Sequence, residues 1–179
     1  SHCSFTMGNT ANFWAAILVT AAQWARGWTF GNCPDLFTDV AGTCYYFSSD
    51  FPASATWNDA LAACKKRGDG LGHINIGLAE LGTSRDGCAT PDIKLMETIA
   101  NKGAQVWLGA SDGREEGTWI WEESKEQLLI SNNMWHHLAP NAGTEENCLA
   151  ALIRTDIHNR PSLGDFPCTQ NNSYVCQIF

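Results

Sequence analysis

No Cys-x-x-Cys pair occurs in the 179 residues, although the chain carries eight cysteines. That absence removes the usual zinc-ribbon and thioredoxin-like spacings. Basic residues are scarce, 11 against 19 acidic ones, for a formal net charge of −8. A nucleic-acid partner, whose phosphates require a basic face, is therefore not expected. No apolar run is long enough to span a bilayer; the longest, Asn12 to Ala22, stops well short. Also missing are a G-x-S-x-G elbow, an H-E-x-x-H pair, a phosphate loop and a dinucleotide fingerprint, so nothing local points to an enzyme.

What is present describes one folded unit. Apolar residues make up 44% of the chain, too many for a disordered one. Widely spaced cysteines indicate disulfides and an oxidising compartment. The run Asn12–Ala22 follows Met7 and ends near Ala25-Arg26-Gly27, a small-x-small site, so residues 1–27 read as leader and signal peptide. A buried or amphipathic first helix is the alternative. With Met7 as initiator, Cys3 is absent from the mature protein, and residues 28–179 form a secreted, extracellular domain.

Within that domain Thr43–Ser49 reads as a strand. Thr56-x-x-Asp59 caps a helix carrying Ala60, Leu61 and Cys64, which Gly68 is expected to stop. A second helix opens on Thr90-Pro91-Asp92, presents Ile93, Met96, Ile99 and Ala100, and ends at Gly103. Val106–Ala110, Thr118–Glu122, Leu149–Ile153 and Tyr174–Ile178 follow as short strands. A long polar stretch separates Ile130 from Asn147, and loops of that length often carry function. The expected class is α+β, two helices with short antiparallel sheets and a long loop region.

Several features then fall in a recognisable order: Cys64 in the first helix, Cys148 and Cys168 further on, Cys176 in the last strand, a Cys33/Cys44 frame at the start, Trp107-Leu108-Gly109, and Glu116-Gly117-x-Trp119-x-Trp121. Over residues 33–176 the chain resembles the C-type lectin-like domain family in its long form. The resemblance implies pairings Cys33–Cys44, Cys64–Cys176 and Cys148–Cys168, and makes Trp107, Trp119 and Trp121 core residues. Cys88 is left over, which suggests a disulfide-linked homodimer or a free thiol.

In sugar-binding members of that family a Ca²⁺ ion on the long loop is held by oxygen ligands and contacts the sugar hydroxyls. The matching positions here are Asn141, Glu146 and Asp165, the expected metal and carbohydrate ligands. Two neighbours depart from the pattern: Ala139 precedes Pro140 where a carboxylate or amide is usual, and Gly164 precedes Asp165 where asparagine is usual. Glu145 and Asp156 are nearby substitutes. Asp112 and Glu116, with Asn147, match the spacing of an auxiliary Ca²⁺ site. The resemblance thus implies a secreted glycan- or glycoprotein-binding domain, with innate-immune glycan recognition as its setting and a degenerate Ca²⁺ site. The alternative is a metal-independent, protein- or surface-binding domain. His136 and His137 read as exposed loop residues able to make a pH-sensitive contact; on a strand they would point to opposite sides. Asn171-Asn172-Ser173 is a glycosylation sequon at Asn171.

Overall fold

Each short strand gains stability only by pairing, and the chain folds so that its last strand collects the others. The computed structural model describes residues 33–51, 53–82, 91–128, 134–137, 139–141, 143–153 and 161–179. These belong to one compact unit, Cys33–Phe179. The leader, Cys3, Cys88, Thr90's region and Asp156 lie outside the described residues.

In chain order the elements are β1 (Thr38–Val40), β2 (Thr43–Phe47), α1 (Trp57–Gly70), β3 (Ile76–Leu78), α2 (Pro91–Lys102), β4 (Val106–Ser111), β5 (Ile120–Trp121), β6 (Cys148–Ile153), β7 (Pro161–Phe166) and β8 (Ser173–Ile178). They pair in the order β1-β2-β8-β4-β6-β7, with β3 added to β8 and β5 to β4. The β4–β8 pairing is parallel; the others are antiparallel. The class and the three disulfides are as expected: Cys33–Cys44, Cys64–Cys176 and Cys148–Cys168 are all formed.

The apolar run at β4 is buried because the sheet is covered on both faces. Val106, Leu108 and Ala110 join the cluster beside α2, whereas Trp107 joins the one beside α1, as strand alternation requires. Trp107, Trp119 and Trp121 are core residues at 0%, 5% and 3% exposure. Two indoles also fasten the layers: Trp57 Nε1 donates to the Leu108 carbonyl at 2.8 Å, and Trp107 Nε1 to the Ala55 carbonyl at 3.0 Å. Gly109 completes the motif by allowing close approach, since a Cβ there would sit 2.8 Å from the Leu78 carbonyl oxygen.

Two helix expectations are corrected. Thr56 does cap α1, its Oγ1 accepting from the Asp59 N–H at 3.3 Å and donating to the Asp59 carboxylate at 2.6 Å. Gly68, however, does not stop the helix, which continues to Gly70. Its lack of a side chain serves packing instead: a Cβ would fall 2.1 Å from the Ile74 carbonyl oxygen. On α2 the buried face is Leu95, Met96 and Ile99, while Ile93 is 47% exposed. At about 100° per residue, position 93 lies nearly opposite 95, so the chosen i, i+3 series started on the wrong side. Neither β3 nor β7 is signalled by the sequence pattern. Ile76–Leu78 is very short, and Pro161 with Gly164 hides a strand that pairs along all six residues with β6.

Candidate functional site

The ladder between β6 and β7 places Leu149 opposite Asp165 and Cys148 opposite Phe166. The start of one strand and the end of the other therefore meet, and the residues just before Cys148 hang over that end. Glu146 lies there, half-buried, on a short 3-10 turn at Gly143–Glu145 whose Gly143 carbonyl accepts the Glu146 N–H at 3.2 Å.

The other side of the site is the loop before it, fixed to β7 by backbone bonds. Trp135 forms a parallel bridge with Leu163. The His136 N–H donates to the Leu163 carbonyl at 2.7 Å, and the Leu163 N–H to the Met134 carbonyl at 2.8 Å. The Trp135 ring lies 5.5 Å from that of Trp119, which ties the loop to the core. After the cis Ala139–Pro140 peptide, the Asn141 N–H donates to Asp165 Oδ2 at 2.8 Å.

Asn141, Glu146 and Asp165 are thus gathered at one end of β6 and β7. Asp165 is buried and Asn141 exposed. The electrostatics are those of crowded acids. Partial burial first, then the charges of Asp165 and Glu145, push the Glu146 carboxyl above its ordinary range. Asp112, at the end of β4, is buried at 2% exposure, and its carboxyl is also raised. Desolvation is the main cause, offset in part by the Gly117 N–H and increased by Asp165. Its Oδ2 accepts that N–H at 3.0 Å, whereas Oδ1 is buried with no hydrogen-bond partner among the described residues.

These donors are hard oxygens of the kind Ca²⁺ takes, and an orphaned buried carboxylate oxygen lies within the field of Asp165, so the chemistry fits a hard cation. The set is incomplete. Ala139 and Gly164 supply no side-chain oxygen, and one Asp165 oxygen is already used on the Asn141 N–H. Glu116 is exposed, and its partner in the spacing, Asp112, holds the 112–117 turn. Asn147 donates its side-chain amide to the Thr144 carbonyl at 2.9 Å, bracing the 3-10 turn. Among the described residues no three His, Cys, Asp or Glu side chains are grouped to hold a metal.

Gly164 is more than a missing ligand. A Cβ there would meet the Phe166 ring at 3.0 Å and a Leu152 methyl at 3.1 Å. The strap of this loop is the Leu163 backbone, and nothing in a side-chain pattern signals a carbonyl's role. Of the two histidines expected to be exposed on the loop, His137 is exposed and His136 half-buried. The chain turns here, with the Ala139 N–H on the His136 carbonyl at 2.8 Å, and the two rings lie side by side with centroids 4.4 Å apart. Asn171 is exposed, and the sequon's Ser173 begins β8.

A family model for the lectin C-type domain matches residues 53–178. The chain is 30% identical over 145 residues to CD209 antigen-like protein C of Mus musculus, covering 81% of this chain and 68% of that protein. It is 28% identical over 116 residues to the CD209 antigen of Homo sapiens, covering 65% of this chain and 25% of that one. The chain spans 68%, 52% and 31% of the first three curated relatives it matches. Among solved structures, human lithostathine aligns with a TM-score of 0.63 at 23% identity, over 89% of this chain and 99% of that one. The C-type lectin domain of murine dendritic cell inhibitory receptor 2, solved in complex with N-glycan, aligns at 0.59 and 20% identity, over 82% and 98%. Among the described residues no helix is long and apolar enough to cross a membrane.

Proposed function

The chain belongs to the family of lectin C-type domains, and from that premise we propose that it is a secreted carbohydrate-binding domain. Its binding face is the end of β6 and β7 that carries Asn141, Glu146 and Asp165. The observation that carries this reading is the Asn141–Asp165 bond at 2.8 Å. It ties the long loop to the strand end that Glu146 overhangs. Support from relatives is the N-glycan bound by one structural neighbour. The ligand is a glycan or glycoprotein, innate-immune recognition is the setting we favour, and the domain binds without catalysing a reaction.

Asn141, Glu146 and Asp165 would hold a Ca²⁺ ion, with water or backbone oxygens completing the shell and Asp112 and Glu116 as an auxiliary pair. Bound there, the ion would offer coordination positions to neighbouring sugar hydroxyls. The chain's own part is separate: the Leu163 strap and the Asn141 N–H fix the loop, the Asn141 side-chain amide can donate to or accept from sugar hydroxyls, and the carboxylates accept from them. Glycosylation at Asn171 and a Cys88-linked homodimer belong to the same secreted reading.

A second reading rests on Ala139 and on the crowding at Gly164, which leaves no room for the usual asparagine without movement. On that reading the same face binds a protein or surface without metal. A glycan array run with Ca²⁺ and again with chelator separates the two. Glycan binding that chelator abolishes is the expected result. Binding that survives chelator points to a metal-free sugar site, and the absence of any glycan binding overturns the lectin reading.

A further inference from the structure

Glu80 follows β3 and is buried at 8% exposure. One of its oxygens has a structural task. Oε1 accepts the Glu123 N–H at 2.7 Å and the Ser124 N–H at 3.0 Å, which pins the turn after β5. The other has none: among the described residues no hydrogen bond or ion pair reaches Oε2. The lysine of that turn, Lys125, is engaged with Glu122 at 2.7 Å. A buried carboxylate oxygen without a partner is costly, and this one is not sealed off. Glu80 lines a cavity of about 230 Å³ whose walls include Trp121, Ser124, Glu126, Gln177 and Phe179, with no Lys, Arg or His among its described lining residues. The frame of the cavity is fixed. The Trp121 N–H donates to the Glu126 carbonyl at 3.0 Å, the Lys125 N–H to the Trp121 carbonyl at 3.2 Å, and the Glu80 N–H to Gln177 Oε1 at 2.9 Å. Such a frame loses little freedom when it takes a ligand.

We propose that this cavity binds an alkylammonium group, carried by a free amine or by a lysine side chain, at a site that shares no residue with the Asn141, Glu146 and Asp165 face. The charge preference follows from the carboxylates of Glu80 and Glu126, which no cation of the wall offsets. Ammonium is preferred to guanidinium because Oε1 is occupied. A guanidinium fork takes both oxygens of a carboxylate, whereas an ammonium is a compact charge that one oxygen serves. Trp121 and Phe179 supply an apolar, aromatic wall for the methylene stem. The size also fits a group of this kind, since 230 Å³ is below the roughly 300–1,000 Å³ of pockets for drug-sized ligands.

Titration of the whole chain with n-butylammonium chloride in the presence of chelator, followed by amide nitrogen–proton spectra, tests this. Chelator keeps the Ca²⁺ face out of the measurement, so the result does not depend on whether the domain binds sugar. Saturable shifts are expected at the Glu123 and Ser124 N–H groups that rest on Glu80, and at the Trp121 indole. n-Butanol, with the same stem and no charge, should bind about tenfold more weakly or worse. Glu80→Gln keeps an acceptor for both N–H groups but loses the charge, and should weaken butylammonium about tenfold or more. Glu126→Gln, on an exposed side chain, should weaken it about two- to fivefold, and it decides the matter if Glu80→Gln fails to fold. Glu97, paired with Lys94 at 2.9 Å on α2, is the control, and Glu97→Gln should change nothing. A second probe, N-acetyl-lysine methylamide, separates the two sources. Binding as tight as that of butylammonium assigns the cavity to a lysine side chain, and its failure to bind assigns it to a free amine. The proposal is overturned if the wild type gives no saturable response to butylammonium, if butanol binds as tightly, or if either glutamine variant binds as the wild type does. Glu80 is then an acceptor for its turn and nothing more.

Discussion

The sheet around β8 and the loop over β6 and β7 are fastened by different means. The sheet is held by side chains and covalent bonds: Cys64–Cys176, the indoles of Trp57 and Trp107, and strands that alternate between the α1 and α2 clusters. Among the described residues the loop is held mainly by main-chain bonds to Leu163, with the Trp135 ring on Trp119 and the Asp165 carboxylate on the Asn141 N–H beside them. The sheet buries Trp107 and Trp121, whereas Ala139 on the loop and Gly164 on β7 offer no side-chain oxygen. Packing constrains every atom of a core, while a backbone strap accepts any side chain that fits.

Four substitutions break or sharpen this contrast, in decreasing order of expected effect on stability. Replacing both Cys64 and Cys176 with serine opens a bond between residues 112 apart in sequence and should cost about 4–5 kcal/mol on a chain-entropy estimate. Denaturant unfolding measures it; a loss near zero would show that the indoles and strand pairing suffice. Gly164→Asn places on β7 the asparagine the family resemblance implies but overpacks it against Phe166 and Leu152. A loss of about 1–3 kcal/mol is expected, read by thermal unfolding; a gain would show that β7 yields and the position is open to a ligand.

Asp165→Asn keeps an acceptor for the Asn141 N–H but removes the charge, so stability should change by about 1 kcal/mol or less. Glycan binding on the array should fall to background. Retained binding with unchanged stability would remove Asp165 from the site. The smallest effect concerns pH. Asp112 and Glu146 have carboxyls raised above their ordinary values of 3.8 and 4.5. Their stabilising contribution is therefore complete below those values and is lost as pH rises through the raised ones. Asp112→Asn removes the buried charge. The variant should match the wild type at low pH and exceed it at neutral pH by about 1–3 °C in Tm, for roughly 0.5–1 kcal/mol. Equal midpoints at both pH values would show that the Asp112 carboxylate carries no net cost.

Motifs survive translation into structure where one residue type is needed by bond or volume. Six cysteines form the implied pairs, and Trp107, Trp119 and Trp121 fill the core. Periodicity found α2 but chose Ile93 over Leu95, because a short helix offers two apolar series and only its neighbours choose between them. The candidate ligands Asn141, Glu146 and Asp165 were legible by type. Their use was not, since Asn141 engages Asp165 through its backbone N–H across a separation of 24 residues.

The sequence by itself determined the positions of the cysteines and tryptophans, the α+β class and the absence of side-chain oxygens at Ala139 and Gly164; the three pairings and the aromatic core were what the family resemblance implied, and both are formed in the fold. Tertiary structure alone decided that Gly68 and Gly109 serve close packing, that Asp112 is buried with one oxygen lacking a hydrogen-bond partner among the described residues, and that His136 and His137 meet at 3.1 Å. Those outcomes depend on where the backbone of a distant element passes, and a carbonyl or a turn leaves no mark in the identity of the side chain that carries it.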